Sequence, residues 1–514
     1  MAQGPYVMGI DGGTESVRVG IFDTEGSPLV FASQGYALDH PRPGWAEQDP
    51  DEWWSALVAA TREAMSSSGL APEDIAGISI DTTASTVLAM DENDRHMGPA
   101  ILWMDARAAD QRRRFTETED PALKYNVSAE WLPPKALWIK ENQPDVYAGA
   151  RHICEYQDWM THKLTGEWTS SINQASAKWF HDRDSGGFPT SLFNAVGLED
   201  LLDKLPPRLL ELGEPAGTLR QDAADELGLR AGTPIAEGGI DAFVATVGLG
   251  VVDPGKVALI TGSSHVLLGQ VPQPLHGPGF FGAFTDCVVP GLYTVEGGQI
   301  STGSVVAWFK NRLAKGATAE AERRGVDPYE VLNEWAAELP PGSEGLIVMD
   351  YFQGNRTPYS DPLARGAIWG LSLGHGEAHL FRAIMEGVCY GTEHAFRAMR
   401  DQGFHPTEIV AAGGATKSDL WMQIHSDVAN VPISFTKVSD APALGSAILA
   451  AVGAGIYPTV GEAVSNMVHV ERQIEPDAER SEQYQFYVDK YIETYPQLRE
   501  LLHDMTRHEA ERHA

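Results

Sequence analysis

The sequence is poor in cysteine and in positive charge. Its three cysteines, Cys154, Cys287 and Cys389, lie far apart among 514 residues and form no CxxC pair. They therefore cannot build a disulfide framework or a structural zinc site. Lys and Arg number 38 against 71 Asp and Glu, which gives a net charge of −33. Because nucleic acids and anionic lipids require a basic surface, we expect neither as a partner.

Long apolar runs are also missing. No run reaches the ~18 residues of a membrane-spanning helix. The first residues, MAQGPYVMGIDGG, lack a basic segment followed by an apolar stretch, so no secretory signal is expected. Apolar residues still make up 43 % of the chain, too many for a disordered acidic protein. These features predict a folded cytoplasmic protein that does not associate with membranes.

Glycine, in contrast, is abundant. It accounts for 52 of 514 residues, above the usual share of about 7 %, which favours tight loops or close approaches of the backbone to ligands. The length exceeds that of one ordinary domain, and a Gly/Pro-rich step, GLGVVDPG, lies at residues 248–255. We predict an N-terminal domain over residues 1–250, a C-terminal domain over 251–480 and a helical tail over 481–514.

Apolar patterning predicts an alternating α/β protein with two related halves. Residues 6–23 and 256–270 each predict a strand, a small polar loop and a second strand, and residues 75–91 repeat this pattern. A further strand that runs into a Gly-Gly turn is predicted at 408–414. Helix-forming stretches alternate with these strands, at 51–67, 377–402, 418–430, 441–455 and in the tail.

The polar loops of the two hairpins supply candidate phosphate contacts. Glycines let backbone N–H groups converge on an anion, and hydroxyls add further donors. The residues concerned are Gly12, Gly13 and Thr14 after Asp11 in the first loop, and Thr261, Gly262 and Ser263 in the second. Asp11 adds a carboxylate that can hold Mg²⁺. Most such loops are only turns, but two in corresponding positions could clamp the phosphates of a nucleotide.

Two other glycine-flanked sites carry candidate chemistry. The Gly413–Gly414 turn joins a strand to a helix and allows close approach of a ribose or a flat ring. It does not fit GxGxxG, and the P-loop pattern is absent. Asp241 follows Gly238 and Gly239 near the predicted join. It is a candidate general base for a substrate hydroxyl, or the N-cap of a helix over 242–248, and the two roles are compatible.

Together these segments resemble the FGGY carbohydrate kinases of the actin-like ATPase superfamily, over roughly residues 6–460. GIDGGTESVRVGIFD looks like the family's first phosphate loop, and residues 366–386 fit its C-terminal signature. Residues 411–433 look like the adenosine-binding segment, and residues 440–450 resemble the segment after it. The resemblance implies an α/β fold of two RNase H-like domains with a catalytic cleft between them.

The resemblance also implies ATP and Mg²⁺ as cofactors and phosphorylation of a sugar or polyol hydroxyl. Asp241 matches the family's catalytic base, and Asp11 and Asp241 are the implied metal-holding residues. Gly413 and Gly414 are expected to pack against adenosine. Ser418 stands where many members have Asn beside the adenine.

The sugar-side segments are most similar to those of ribulokinases. Glycerol kinases carry an Arg-Glu pair, and xylulokinases a Met-His pair, where this chain has Ala84 and Ser85. Besides Ala84 and Asp241, the implied sugar contacts are Asp105 in WMDAR, Lys178 in NQASAKWF and Glu296 in EGGQ. Asp105 and Arg107 are alternatively a structural ion pair, and Glu296 alternatively orients a loop.

We therefore expect an ATP-dependent kinase that phosphorylates a terminal hydroxyl of a ketopentose, with the C5 hydroxyl of ribulose favoured. Alternatives on the same scaffold are xylulose, erythritol or a pentitol as substrate. An alternative of another class is a non-catalytic actin-like nucleotide switch, against which the presence of both Asp11 and Asp241 argues. ATP and a sugar are the expected partners, and the resemblance leaves a homodimer open.

Overall fold

The structure is a computed structural model that describes residues 4–124, 127–275, 277 and 280–513. The chain forms two compact units. Unit 1 comprises Met1–Val252, Phe284–Thr294 and Asp440–His469, and unit 2 comprises Asp253–Ala283, Val295–Ser439 and Val470–Ala514. Each unit is therefore assembled from separate stretches of sequence.

The elements up to Gly248 alternate short strands with helices. In chain order they are β1 (Tyr6–Gly12), β2 (Ser16–Asp23), β3 (Pro28–Gly35), β4 (Glu47–Gln48), α1 (Pro50–Ser68), β5 (Ile75–Thr82), β6 (Val87–Met90), β7 (Ala100–Ile101), α2 (Ala109–Glu117), α3 (Leu132–Asn142), α4 (Pro144–Gly149), β8 (His152–Glu155), α5 (Tyr156–Thr165), β9 (Thr169–Ser171), α6 (Ile172–Lys178), α7 (Thr190–Val196), β10 (Arg208–Leu210), β11 (Pro215–Thr218), α8 (Gln221–Leu227), β12 (Pro234–Ala236) and α9 (Asp241–Gly248).

The remaining elements include longer helices. They are β13 (Lys256–Thr261), β14 (His265–Val271), β15 (Gly282–Thr285), β16 (Tyr293–Gln299), α10 (Gly303–Arg312), α11 (Lys315–Arg324), α12 (Pro328–Ala337), β17 (Ile347–Met349), β18 (Ala367–Trp369), α13 (Glu377–Asp401), β19 (Glu408–Gly413), α14 (Asp419–Ala429), β20 (Ile433–Thr436), α15 (Ala441–Gly453), α16 (Val460–Met467), β21 (Val470–Ile474) and α17 (Ala478–His513). Single 3₁₀ turns lie at Pro72–Asp74, Arg183–Ser185, Ser343–Gly345 and Gly414–Lys417.

The main sheet of unit 1 has the order β11-β12-β5-β1-β2-β3. β1 pairs antiparallel with β2 and parallel with β5. Because β1 and β5 are covered on both faces, their sequences are almost continuously apolar rather than alternating. α1 packs against β2 and β3, and α15 packs against β1 and β5. In the core that α1 forms with this sheet and α5, Trp53 of α1 stacks on Tyr156 with a ring separation of 3.8 Å.

The main sheet of unit 2 repeats this arrangement, in the order β15-β16-β14-β13-β19-β20-β21. β13 pairs antiparallel with β14 and parallel with β19, as β1 does with β2 and β5. The predicted pair of halves that each open with a hairpin is therefore confirmed. Within the described part of the chain, no helix is long and apolar enough to cross a membrane.

The principal helices lie where the sequence predicts them. The predictions at 51–67, 377–402, 418–430 and 441–455 are confirmed as α1, α13, α14 and α15, with ends that differ by one or two residues. The helix predicted over 242–248 begins one residue earlier. Asp241 is therefore the first helical residue, and Ile240, with φ −73° and ψ 130°, is the N-cap.

Candidate functional site

Three aspartates converge at one edge of the main sheet of unit 1. β1 and β5 run parallel with Asp11 directly opposite Asp81. The charge of Asp241 raises the pKa of both carboxyls, and the charge of Asp11 raises that of Asp81, so the three groups lie close enough to interact. Ligands of open α/β sheets commonly bind at the carboxyl ends of the strands, and these aspartates lie at the ends of β1 and β5.

Close packing of glycine brings Asp241 to this edge. Gly238 lies so near β5 that a Cβ at this position would be 1.7 Å from the carbonyl oxygen of Ile80. The Thr82 amide then donates to the carbonyl of Gly239 (3.0 Å), and α9 starts at Asp241. The Gly-Gly step therefore delivers the Asp241 carboxylate to the end of β5, where its Oδ1 accepts from the Ala242 amide (2.6 Å).

Burial raises the pKa of all three carboxyls, and repulsion from neighbouring carboxylates adds to this for Asp11 and Asp81. For Asp11, burial and the charges of Asp241 and Asp440 raise the pKa to about 7. Burial and the charge of Asp11 raise the pKa of Asp81 well above its ordinary value. Burial raises the pKa of Asp241 to about 6, opposed by the Ala242 amide and Lys178. Carboxylate oxygens are ligands that Mg²⁺ prefers, so the chemistry of these side chains fits that cation.

The loop after β1 is fixed by side chains from outside it. The Tyr36 hydroxyl donates to the carbonyl of Gly13. Gln48 Nε2 donates to the carbonyl of Thr14 (2.7 Å), and Trp103 Nε1 donates to Thr14 Oγ1 (3.0 Å). The predicted phosphate contacts Gly12, Gly13 and Thr14 therefore lie in a rigid turn beside Asp11.

Two of the predicted sugar contacts lie near this edge in unit 1. Ala84 is half-buried in the turn between β5 and β6, and the next residue, Ser85, has a φ of 58°. Lys178 ends α6, and its Nζ lies 5.8 Å from the ring centroids of Trp131, Phe243 and Phe284. The Lys178 ammonium also lowers the pKa of Asp241, so an apolar cage holds this charge near the carboxylate.

Asp105 is fully buried in an ion pair. Its carboxylate accepts from the Ala46 amide (2.7 Å) and from Nε and Nη2 of Arg107 (2.8 and 2.7 Å). Arg107 also donates to Glu47 (2.7 Å) and lies 3.7 Å from the ring centroid of Trp45. Because both carboxylate oxygens are engaged, these contacts favour the structural ion pair over the expected sugar contact.

A cavity of about 970 Å³ opens in unit 2, lined by apolar side chains, glycines and a few polar groups. Of the residues predicted to contact ATP, Gly262, Ser263, Gly414 and Ser418 line it. Others on its wall are Tyr329, Asn333, Phe381, Met385 and Trp421. The volume is in the upper range of small-ligand pockets, about 300–1,000 Å³.

Thr261 and Gly413 adjoin the residues that line this cavity and fix the backbone of the turn between them. Thr261 Oγ1 donates to the carbonyl of Ala412 (2.7 Å) and accepts from the Ala415 amide (3.1 Å). Gly413 has a φ of +94°, and a Cβ there would lie 1.9 Å from the Thr261 carbonyl oxygen. The two residues therefore hold the Gly413–Gly414 turn in place.

Gly414 and Ser418 face the cavity with groups that a ligand could use. No protein atom lies within 4 Å of a Cβ placed on Gly414, so the space beside it is open to a ligand. Ser418 Oγ caps α14 by accepting from the Trp421 amide (3.2 Å) and donates to Asn333 Oδ1 (2.6 Å). The cavity can thus hold a flat apolar ring with polar atoms at its rim.

Two residues of these sites, Asp81 and Asn333, are not among the residues predicted from the sequence. Asp81 ends the second apolar run, and the repeat of the Asp11 pattern there is the signal that could have found it. Asn333 comes from α12, outside any of the patterned segments. Glu296, a predicted sugar contact, lies in β16 of unit 2, where it is largely buried.

Comparisons with known proteins agree on one family. Residues 6–248 match the N-terminal domain of the FGGY family of carbohydrate kinases, and residues 257–454 match its C-terminal domain. A ribulokinase from Geobacillus thermodenitrificans is 31 % identical over 531 residues, covering 95 % of this chain and 94 % of its own. An autoinducer-2 kinase from Escherichia coli is 31 % identical over 503 residues, with the same coverages. The crystal structure of xylulose kinase from Rhodospirillum rubrum is similar with a TM-score of 0.87 at 28 % identity, over 97 % of this chain and 100 % of that one.

Proposed function

The chain belongs to the FGGY family of carbohydrate kinases, and from that premise we propose that it transfers the γ-phosphate of ATP to a terminal hydroxyl of a ketopentose, ribulose before others. Members of this family are phosphotransferases with an alcohol group as acceptor, so the chain is an enzyme and the non-catalytic switch is set aside. Its fold is the two-domain actin-like α/β fold of the sugar kinases.

The observation that carries the proposal is the Asp241 carboxylate at the end of β5. A sugar hydroxyl must lose its proton as its bond to phosphorus forms. A general base accepts that proton most efficiently when its pKa is close to the working pH. Burial raises the pKa of Asp241 to about 6, so at neutral pH it is mostly ionised yet still basic. Asp241 would accept the hydroxyl proton, and Lys178 would favour the ionised form before transfer.

Asp11 and Asp241 would hold Mg²⁺, with Asp81 behind them. When bound, the cation supplies charge neutralisation at the terminal phosphates, which phosphoryl transfer needs more than covalent catalysis. A bound cation would also keep Asp11 ionised, because burial and repulsion from neighbouring carboxylates raise its pKa to about 7. The Gly12–Thr14 turn beside Asp11 would offer its donors to the phosphates.

The cavity of unit 2 would take the adenosine of ATP. Phe381 and Met385 supply apolar walls for the base, and the open space beside Gly414 admits a ring or ribose. Ser418 and its partner Asn333 form a polar rim that fits the edge of a purine. Gly262 and Ser263, on the same wall, would face the phosphates.

Ribulose is favoured by the small residues at the sugar side. Ala84 and Ser85 leave no charged pair to bind a short triol, and Lys178 would be a further contact in unit 1. Relatives are named for ribulose, autoinducer-2 and xylulose. Xylulose is therefore a rival substrate, and the polyols expected from the sequence are others. Because the proposed chemistry uses ATP, we propose that the enzyme acts in the cytoplasm.

A substrate panel tests this proposal. Initial rates of ADP release with ribulose, xylulose, erythritol, ribitol and glycerol give kcat/KM for each compound. We expect both ketopentoses to exceed the polyols, with ribulose first. Glycerol as the best substrate would overturn the argument from Ala84 and Ser85. Erythritol or ribitol as the best substrate would show that the enzyme is a polyol kinase and not a ketopentose kinase.

A further inference from the structure

A buried lysine ties two segments of unit 1 together. Lys135 of α3 has no exposed surface. Its Nζ donates to the carbonyl oxygens of Ser85 (2.7 Å) and Leu102 (2.5 Å), with the Ile101 carbonyl at 3.4 Å. An ammonium group has three donors and no acceptor, so these carbonyls satisfy its capacity. The turn after β5 and the segment before Trp103 are therefore held by one side chain.

A buried glutamate holds the same turn from its other side. Glu155, at the end of β8, is fully buried and accepts from the Ser85 amide at Oε2 (2.5 Å). Its Oε1 accepts from Trp179 Nε1 (2.7 Å). Both backbone polar groups of Ser85 are thus taken by buried ionisable side chains, one basic and one acidic, and burial brings the pKa of each to about 7.

The backbone at Ser85 needs such support. Its φ of 58° lies in the left-handed region, which residues with a Cβ rarely adopt and which persists only where the surroundings impose it. Burying an ammonium and a carboxylate is costly, and a well-packed apolar pair would often be as stable. Two ionisable side chains buried against the same residue therefore point to a role in the geometry of the turn rather than in stability alone.

We infer that Lys135 and Glu155 are positioning residues that fix the Ser85 turn, and with it Ala84, in the geometry that selects the sugar. The inference rests on the proposed function, in which the sugar lies against Ala84. The same lysine fixes Leu102, the neighbour of Trp103, whose indole donates to Thr14 in the phosphate turn. We call Lys135 and Glu155 the clamp. The clamp thus fixes both the Ser85 turn, against which the sugar would lie, and one support of the phosphate turn.

Isosteric variants test the clamp through the KM of each substrate. We expect Lys135→Met and Glu155→Gln to raise the KM for the sugar about 10-fold or more, because small misplacements in a site are costly. The KM for ATP should rise less than the KM for the sugar, because the proposed adenosine pocket lies in unit 2 and the phosphate turn keeps its hydrogen bonds to Tyr36 and Gln48. Lys140→Met is the matched control, because Lys140 lies on the same helix but binds Gly197 and Asp200.

A second substitution separates positioning from simple loss of packing. Glycine adopts the left-handed region without a Cβ penalty. Ser85→Gly should therefore restore part of the sugar KM in the Lys135→Met background. A sugar KM unchanged in both folded clamp variants, or a loss that Ser85→Gly does not reduce and that affects ATP equally, would overturn the inference. If Lys135→Met does not fold, the same comparison is made with Glu155→Gln.

Hydrogen–deuterium exchange gives a readout that does not depend on the substrate. The peptide covering residues 82–90 should exchange faster in the clamp variants than in the wild type or in Lys140→Met. Equal exchange would contradict the clamp. A wild type that phosphorylates no ketopentose would refute the proposed function, while the exchange of this peptide would still decide whether Lys135 and Glu155 hold the turn.

Discussion

At the scale of single residues, the chemistry depends on how a few buried carboxyls are charged. With a pKa of about 6, Asp241 is mostly ionised at neutral pH, whereas Asp11, with a pKa of about 7, is shared between its two forms. Protons therefore compete with a cation at Asp11 as the pH falls below 7. In the proposed mechanism, the pKa of about 6 would suit Asp241 to act as a base, and a bound cation would keep Asp11 ionised.

The open space beside Gly414 leads to a prediction about the nucleotide. Gly414→Leu should fill part of the cavity and raise the KM for ATP about 10-fold or more, because a ligand group and the new side chain would compete for the same volume. The melting temperature should change by less than about 3 °C, since no protein atom lies within 4 Å of a Cβ there. Steady-state kinetics and thermal unfolding check both parts.

Gly413→Ala is the control for this prediction. A Cβ at position 413 would lie 1.9 Å from the Thr261 carbonyl, at a φ of +94°, so this variant should lose stability by about 1–3 kcal/mol. An unchanged KM for ATP in a folded Gly414→Leu variant would show that the nucleotide does not bind in this cavity.

Sequence patterns identify site residues only where the local pattern is diagnostic. Asp11 and Asp241 follow apolar strands and glycines, and the structure brings them together. Asp105 lies in an equally suggestive segment, yet its carboxylate faces Arg107, because the segment after β7 folds back onto β4. Lys135 has no motif at all, and only long-range packing reveals that it faces Ser85.

At the scale of helices and strands, local signals determine the elements and distant packing determines their partners. α1 is predictable because Asp49 caps its start, Pro50 occupies its first position and Gly69 ends it in the left-handed region. The place of α15 in unit 1 is not predictable in this way. It follows from close approaches of glycine, such as Gly9, where a Cβ would lie 2.0 Å from the Ala443 carbonyl oxygen.

The packing of β14 against α14 leads to a prediction about stability. His265 and His425 are fully buried with ring centroids 5.5 Å apart. Burial lowers the pKa of His425 to about 3, whereas in the unfolded chain a histidine has a pKa of about 6.5. The neutral ring therefore stabilises the fold fully above pH 6.5, and this contribution is lost as the pH falls from 6.5 towards 3.

His425→Gln should weaken this pH dependence. Between pH 7.5 and pH 5, the loss of unfolding free energy should be smaller than in the wild type by up to about 2 kcal/mol. Urea unfolding at the two pH values measures the difference, and His405→Gln, at an exposed position, is the control. Equal pH dependence in the His425 variant and the wild type would show that this ring is not kept neutral by burial.

At the scale of the whole molecule, the net charge of −33 does not identify a partner. ATP is itself anionic, so its binding has to depend on local donors and a cation against an unfavourable overall field, and a sugar is neutral. We attribute the acidity to the solubility of the surface. The proposed function therefore rests on a division of labour between the units, in which unit 1 would supply the base and unit 2 the nucleotide pocket.

This division of labour is tested most directly by Asp241→Asn, with sugar-dependent ADP release and ATP binding measured on the same preparation. Removal of the base should lower kcat about 100-fold or more. The dissociation constant for ATP, measured by calorimetry, should stay within about threefold, because the adenosine pocket lies in unit 2. Near-normal turnover in the variant would contradict the account, since the hydroxyl proton would then leave without Asp241.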